Sequence, residues 1–305
     1  MNNYLHIGVP ENFNDLLPEL KAKTLKWETV CYSGTKINNN AKISFYSAIT
    51  NKPYGNIILS PGLATNTNID PLMKAITFWS LKHNYNLFTF NTFLGNFYEI
   101  PTIEQAKRNT YPEFVQLLET CIKFTEPYYI NQKNILIGHS AGATGIIDAL
   151  NNIVGKDEKI NIDSVMLFAP WASKEWHDFL KQFIYSHNLD NPYEILPIYN
   201  IFNNESDKNG YVTILPQFFT DLEQSKFRPD LMNKWNSYVT IVAGEKDRKV
   251  SIEILKTRFQ ELKKQSSPNL FKFIILPDEK HSFLNIHSDT QSVINLIKSQ
   301  REKMK

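Results

Sequence analysis

Short apolar runs alternate with stretches of helical periodicity along most of the chain. Runs of strand length occur at residues 56–59, 85–90, 134–137, 164–168, 238–243 and 271–276. Between them, apolar residues recur at steps of three and four, as Leu72, Ile76 and Trp79 do. This alternation predicts an α/β protein with a mostly parallel sheet flanked by helices. The segments 25–32 and 41–48, on either side of the turn-rich SGTKINNN, predict an antiparallel hairpin.

The alternation stops at residues 171–236, where no clear buried strand occurs and aromatic residues are frequent. Connections of this length without a function are uncommon. The sequence therefore predicts a core formed by residues 1–170 and 237–305, with a mainly helical cap inserted at 171–236. An aromatic underside of the cap would face the substrate, which makes Trp171 and Trp176 candidate substrate-binding residues. Alternatively, these aromatic residues form a small satellite core that stabilises only itself.

Composition narrows the class of protein. The 305 residues include 33 basic and 31 acidic residues that are mixed along the chain, for a net charge of +2, so no nucleic-acid partner is predicted. Two cysteines are too few for a disulfide framework. The first residues lack the pattern of a signal peptide, and no run of about 18 apolar residues occurs. We therefore expect a cytoplasmic protein without stable membrane insertion, and the oligomeric state stays open.

Residues 134–150, NILIGHSAGATGIIDAL, combine a strand, a sharp turn and a helix. The Gly138-x-Ser140-x-Gly142 pattern at the junction is typical of a nucleophile elbow, in which the serine lies in a strained turn and side chains in place of the glycines would collide with neighbouring elements. Ser140 would stand at a helix N-terminus, where the amide of Ala141 can donate to an oxyanion. The pattern predicts a nucleophilic serine, and the alternative is a chance match to a short motif.

A nucleophilic serine needs a base and a third group that orients the base. Parallel strands end at the same edge of a sheet, so His281, which follows the last predicted strand, should share an edge with Ser140. Asp247 follows the strand at 238–243 and is the favoured acid, with Glu245 and Asp278 as competitors.

The loop after the strand at 56–59 offers a second oxyanion donor. Gly62 in the sequence Ser60-Pro61-Gly62-Leu63 permits a tight turn that could aim the amide of Leu63 at the same space as that of Ala141. The alternative is an ordinary loop whose glycine serves only the turn.

The order Ser140, Asp247, His281 resembles that of the α/β-hydrolase superfamily. The segments IGHSAG, GEKDRKV and KHSFL are similar to its elbow, acid loop and histidine loop. The resemblance implies a mostly parallel eight-stranded sheet, Ser140 as nucleophile, His281 as base, Asp247 as orienting acid, and Leu63 and Ala141 as oxyanion donors. The cap after the sixth strand is similar to that of lipase, thioesterase and lysophospholipase members.

The chain departs from the superfamily pattern in two loops. Pro61-Gly62 stands where many members have His-Gly, and Asn91-Thr92-Phe93-Leu94-Gly95 lacks the arginine that many members carry after the equivalent strand.

These observations predict a serine hydrolase that cleaves a carboxylic ester or thioester through an acyl-enzyme. No metal or organic cofactor is implied, and the predicted partner is a small-molecule acyl substrate. Two alternatives remain open: an acyltransferase that uses the same three residues, and a binding module that retains the fold without turnover.

Overall fold

A computed structural model describes residues 27–31, 41–46, 53–63, 71–92, 109–126, 132–187, 216–265, 270–281, 283 and 295–299. The strands are β1 (Trp27–Cys31), β2 (Ala41–Tyr46), β3 (Asn56–Ser60), β4 (Asn86–Thr92), β5 (Asn134–His139), β6 (Ser164–Phe168), β7 (Tyr238–Gly244) and β8 (Phe271–Leu276). The helices are α1 (Pro71–Lys82), α2 (Tyr111–Thr125), α3 (Ala141–Gly155), α4 (Lys174–His187), α5 (Pro216–Gln224), α6 (Pro229–Met232) and α7 (Ile252–Gln265).

The strands form one sheet in the order β1-β2-β4-β3-β5-β6-β7-β8. β1 pairs with β2, and β2 with β4, in antiparallel fashion, whereas every pair from β4 to β8 is parallel. The prediction of a mostly parallel sheet flanked by helices is therefore confirmed. Parallel pairing brings the carboxyl ends of β5, β7 and β8 to the same edge, which is where the loops after them meet.

The central strands are apolar because both of their faces are covered. Every residue of β3, β5 and β6 is buried. At the amino ends, a ladder of side-chain amides fixes the strand register: Asn86 donates to Asn56 at 3.0 Å, and Asn56 donates to Asn134 at 2.7 Å. These bonds satisfy polar groups that burial would otherwise penalise.

Helix α3, which follows β5, contacts the segment 171–236. Its Thr144, Asp148 and Asn151 follow one another at steps of four and three, so they lie on one face of the helix. Thr144 Oγ1 accepts from the amide of Trp171 at 2.9 Å, Asp148 accepts from Ser225 Oγ at 2.6 Å, and Asn151 accepts from Trp235 Nε1 at 3.1 Å. Both ends of the segment 171–236 are thus attached to α3.

The segment 171–236 is helical where the structure describes it, in α4, α5, α6 and a short 3₁₀ turn at Asn233–Trp235. Residues 188–215 lie outside the described residues, so the cap stays a prediction. Apolar spacing also predicts a helix within residues 1–23, and Asp70-Pro71 predicts a helix start; residues 1–23 and Asp70 lie outside the described residues. In the part of the chain that the structure describes, no helix combines the length and the apolar character needed to span a bilayer.

Candidate active site

Ser140 lies in a strained turn between β5 and α3. Its φ of 53° and ψ of −122° lie in a region that non-glycine residues rarely adopt, at a cost of about 1–3 kcal/mol. The turn is held by its neighbours, because the amide of Ser140 donates to the carbonyl of Phe168 at 2.8 Å. A Cβ at Gly138 would approach Cα of Ala143 to 2.7 Å, and one at Gly142 would approach the carbonyl oxygen of Pro61 to 2.3 Å. Glycine is required at both positions by close approach of the backbone.

His281 forms hydrogen bonds to both Ser140 and Asp247. Its Nε2 lies 2.9 Å from Ser140 Oγ, and its Nδ1 lies 2.8 Å from Asp247 Oδ2. The three residues come from the loops after β5, β7 and β8 at the carboxyl edge of the sheet. With Nδ1–H donating to the carboxylate, Nε2 is left free to accept the serine proton. The structure thus joins the three residues that the sequence singles out into one hydrogen-bonded relay.

The competing carboxylates do not contact the imidazole in this way. Asp278 pairs with Lys246 at 2.5 Å, and Glu245 accepts only a long hydrogen bond, at 3.4 Å, from the amide of Asp278. Both side chains are exposed, whereas only 1% of the Asp247 side chain is exposed. Of the three candidates, Asp247 alone is placed to orient His281.

Asp247 keeps its negative charge although it is buried. Burial by itself would raise the pKa of the carboxyl. The hydrogen bond to His281, the charge of His281 and the backbone amides of Lys249 and Val250, at 2.8 and 3.1 Å, outweigh this effect and hold the pKa of Asp247 below its ordinary value. The residue is therefore an anion at neutral pH, as an orienting acid must be.

Burial lowers the pKa of His281 below its ordinary value of 6.5, because the charged imidazolium is disfavoured away from water. The nearby His139 also lowers this pKa, while the hydrogen bond to Asp247 raises it. The net direction favours a neutral imidazole at neutral pH, which is the form that can accept a proton from Ser140.

His139 supports the histidine loop, a role that sequence reasoning missed. Its Nε2 donates to the carbonyl of His281 at 2.8 Å, and its ring lies 5.2 Å from that of His281. Phe283 closes the same cluster, edge-on to His139 at 5.9 Å and to Phe168 at 5.2 Å. From the sequence, His139 is expected only to point away from Ser140, and no pattern of spacing reveals that it reaches the loop after β8 instead.

The loop after β3 lies directly against the elbow. A Cβ at Gly62 would approach Cβ of Ser140 to 3.1 Å and the carbonyl oxygen of His139 to 3.2 Å. Leu63 and Ala141 are both half-buried beside Ser140. The loop after β3 and the start of α3 thus meet at Ser140, with Gly62 in contact with it and the candidate donors Leu63 and Ala141 next to these two residues in the chain.

The two candidate tryptophans have different surroundings. Trp171 is buried between the ring of Phe227, at 5.2 Å, and the guanidinium of Arg258, at 4.7 Å. Trp176 is half-buried, and the ammonium of Lys249 lies 4.9 Å above its ring. Trp176 therefore contacts the acid loop through Lys249, whereas the amide of Trp171 contacts α3 through Thr144.

A cleft of about 540 Å³ opens beside the relay on its histidine side. It is lined by Glu245, Lys246, Asp247, Arg248, Lys249, Lys280 and His281. The cleft is large enough to hold part of a small-molecule substrate.

Comparison with solved structures reveals the same architecture elsewhere. The esterase Pf2001 of Pyrococcus furiosus superposes with a TM-score of 0.60 and 15% identity over 99% of this chain and 97% of that chain. Est1E from Butyrivibrio proteoclasticus superposes with a TM-score of 0.54 and 14% identity over 85% of this chain and 94% of that chain. The thioesterase domain from the curacin biosynthetic pathway superposes with a TM-score of 0.57 and 10% identity over 90% of this chain and 100% of that chain. The chain has the α/β-hydrolase fold. No protein-family model and no curated protein matches the sequence.

Cys121 is disfavoured as a nucleophile in this α/β-hydrolase-fold protein. Cys121 is buried in α2, and burial raises the pKa of its thiol to about 12, so the thiol is unreactive at neutral pH. Among the described residues, no group of three or more His, Cys, Asp or Glu side chains is arranged to hold a metal ion. Of the described side chains, Ser140 is the one whose hydroxyl combines a strained turn with an oriented imidazole.

Proposed function

We propose that this α/β-hydrolase-fold protein is a serine hydrolase that cleaves a carboxylic ester or thioester. The observation that supports this most strongly is the relay from Ser140 Oγ through His281 to Asp247, with bonds of 2.9 and 2.8 Å. A serine hydroxyl is a weak nucleophile at neutral pH, and such a relay activates it. That solved neighbours include an esterase and a thioesterase domain agrees with this chemistry.

In the acylation step, Ser140 Oγ attacks the acyl carbonyl and His281 Nε2 takes the hydroxyl proton. The negative charge that develops on the carbonyl oxygen is stabilised by the amides of Ala141 and Leu63. The tetrahedral intermediate collapses as His281 returns the proton to the leaving alcohol or thiol. The products of this step are the free leaving group and an ester between the acyl group and Ser140.

In the second step, water takes the place of the leaving group. His281 removes a proton from the water as the oxygen attacks the acyl-enzyme, and the same two amides hold the oxyanion. Ser140 leaves as its oxygen recovers the proton from His281, and the carboxylic acid is released. Asp247 stays ionised throughout and holds the imidazole in the tautomer that both steps need.

The acyl chain would bind under the cap at residues 171–236. An aromatic surface suits an apolar chain, and each buried methylene contributes about 0.8 kcal/mol. The value of kcat/KM should therefore rise by up to about fourfold for each methylene added to the acyl chain, until the site is full. A series of p-nitrophenyl esters from acetate to decanoate measures this preference.

The function is tested by replacing the nucleophile. We expect Ser140→Ala to abolish hydrolysis of p-nitrophenyl butyrate and labelling by a fluorophosphonate probe, with the fold unchanged by circular dichroism. Ser299→Ala is the matched control, because the Ser299 hydroxyl donates to the carbonyl of Leu296, three residues earlier in the chain and away from the relay. Turnover or labelling that persists in Ser140→Ala at the wild-type rate would exclude the proposed mechanism.

A further inference from the structure

The cleft on the histidine side of the relay carries an excess of positive charge. Four of its seven lining residues are basic and two are acidic. One acidic residue, Asp247, is buried and hydrogen-bonded to His281, so its charge is already compensated within the relay. The surface that a substrate meets is therefore more basic than the nearly balanced chain as a whole, whose net charge is +2.

Two of the basic groups are not neutralised by acidic partners. Lys246 forms an ion pair with Asp278 at 2.5 Å, so the charge of Lys246 is neutralised. Within the described part of the chain, Arg248 and Lys280 form no ion pair, although both are exposed at the cleft. Two cations without ion-pair partners in one cleft favour binding of an anion there, and the exposed Glu245 offsets only one of the two charges.

A third basic group lies deeper in the same cleft. Lys249 is half-buried with its ammonium over the ring of Trp176, and burial lowers the pKa of Lys249 to about 8, although the charge of Asp247 raises it. A bound anion would offset the cost of keeping this amine charged.

The position of the cleft indicates which part of the substrate carries the anion. Neither Leu63 nor Ala141, the proposed oxyanion donors, lines it, whereas His281 does. His281 returns its proton to the leaving group, so the leaving group must lie on the histidine side. An anion bound in the cleft therefore belongs to the alcohol or thiol half of the substrate and not to the acyl half.

We propose that the protein prefers acyl esters or thioesters whose leaving group carries a phosphate or carboxylate, and that Arg248 and Lys280 bind this anionic group. The proposal rests on the hydrolase function above and adds the chemical class of the leaving group. Phosphate and carboxylate share the negative charge and the acceptor oxygens that guanidinium and ammonium groups bind.

The experiment compares leaving groups of the same shape and different charge. para-Carboxyphenyl butyrate is matched with the neutral para-carbamoylphenyl butyrate, and the phosphate ester of para-hydroxyphenyl butyrate is matched with its neutral dimethyl phosphotriester. We expect kcat/KM to favour each anionic member by about tenfold at low ionic strength, since one exposed ion pair contributes up to roughly fivefold. The preference should shrink in about 0.5 M salt, which screens exposed charges. A larger ratio in the phosphate pair than in the carboxylate pair identifies phosphate as the favoured anion, and the reverse identifies carboxylate.

Variants test the residues that we assign. Arg248→Gln with Lys280→Gln should reduce the anionic-to-neutral ratio to about one, whereas Asp278→Asn, which releases Lys246, should increase it. Lys272→Gln is the control for loss of an exposed cation, because Lys272 lies near the amino end of β8, away from the cleft.

The outcomes separate this inference from the proposed function. If wild-type protein hydrolyses neutral and anionic members equally well, or if the ratio survives in the double variant, the inference is wrong while the hydrolase function stands. If neither member of either pair is hydrolysed, the proposed function itself is wrong.

Discussion

Replacing Asp247 by asparagine tests the relay most directly, because the change removes a charge and leaves the shape almost unaltered. The amides of Lys249 and Val250 donate to Asp247 Oδ1 at 2.8 and 3.1 Å and so hold the acid loop. The carbonyl oxygen of the asparagine can still accept these two hydrogen bonds. Its NH₂ group would instead face His281 Nδ1, now 2.8 Å from a carboxylate oxygen. An imidazole that accepts at Nδ1 carries its proton on Nε2 and cannot take the proton of Ser140.

The size of the effect follows from this change of tautomer. The same substitution in a Ser-His-Asp relay lowers kcat by about 10⁴-fold, which corresponds to roughly 5.4 kcal/mol of activation free energy. Stability should change much less. The two bonds from the backbone amides survive, and loss of one bond to a charged group costs about 1.5–3 kcal/mol.

The assay is steady-state hydrolysis of p-nitrophenyl butyrate, with a thermal melt of each variant to establish that it is folded. Glu253→Gln is the matched carboxyl-to-amide control, because Glu253 lies in the first turn of α7 with 79% of its side chain exposed. We expect the control to retain wild-type kcat. A folded Asp247→Asn protein with more than about a tenth of wild-type kcat would refute the role of Asp247, since the expected loss is about 10⁴-fold.

Three further predictions concern pH, packing and a buried carboxyl. Because the pKa of His281 is lowered and only its neutral form is active, kcat/KM should fall with decreasing pH at a midpoint below 6.5, and a midpoint above 6.5 would contradict this reasoning. Gly142→Ala should destabilise the fold by about 1–3 kcal/mol in urea unfolding, because the added Cβ would collide with the Pro61 carbonyl. Gly155→Ala should instead stabilise the fold by up to about 1 kcal/mol, because the added Cβ would meet its nearest atom at 3.8 Å. Equal effects of the two substitutions would refute the packing argument. Asp148→Ala should lower the free energy of unfolding by about 2–3 kcal/mol, because the hydroxyls of Tyr111 and Ser225 lose their hydrogen-bond acceptor. Asp148→Asn should lower it less, because the amide oxygen can still accept and because burial, which raises the pKa of this carboxyl, already disfavours its charge. An Asn variant that is less stable than the Ala variant would contradict this reasoning.

Periodicity and chain order were sufficient to predict most of the fold. The strand at Ser164–Phe168 and the strand at Phe271–Leu276 have the predicted ends, and a proline follows each of them within two residues. The spacing of Leu72, Ile76 and Trp79 correctly predicted the buried side of α1. These features depend on local sequence, which is why they could be predicted.

Features that depend on side-chain direction could not be predicted. His139 is the last residue of β5, and its position in the sequence does not reveal that its ring reaches the carbonyl of His281. Nothing in the sequence around Lys249 indicates that the fold places its ammonium over Trp176. Both contacts join residues far apart in sequence, and neither has a local signature.

The three contacts on one face of α3 have a consequence for how this protein could change its specificity. Thr144, Asp148 and Asn151 attach both ends of the segment 171–236 to the helix that begins next to Ser140. Residues 188–215 lie between these attachment points, so we expect that they could be exchanged for a foreign sequence without displacing the reactive hydroxyl. Selection could then diversify the ligands bound next to Ser140 while the hydrogen-bonded relay is inherited intact.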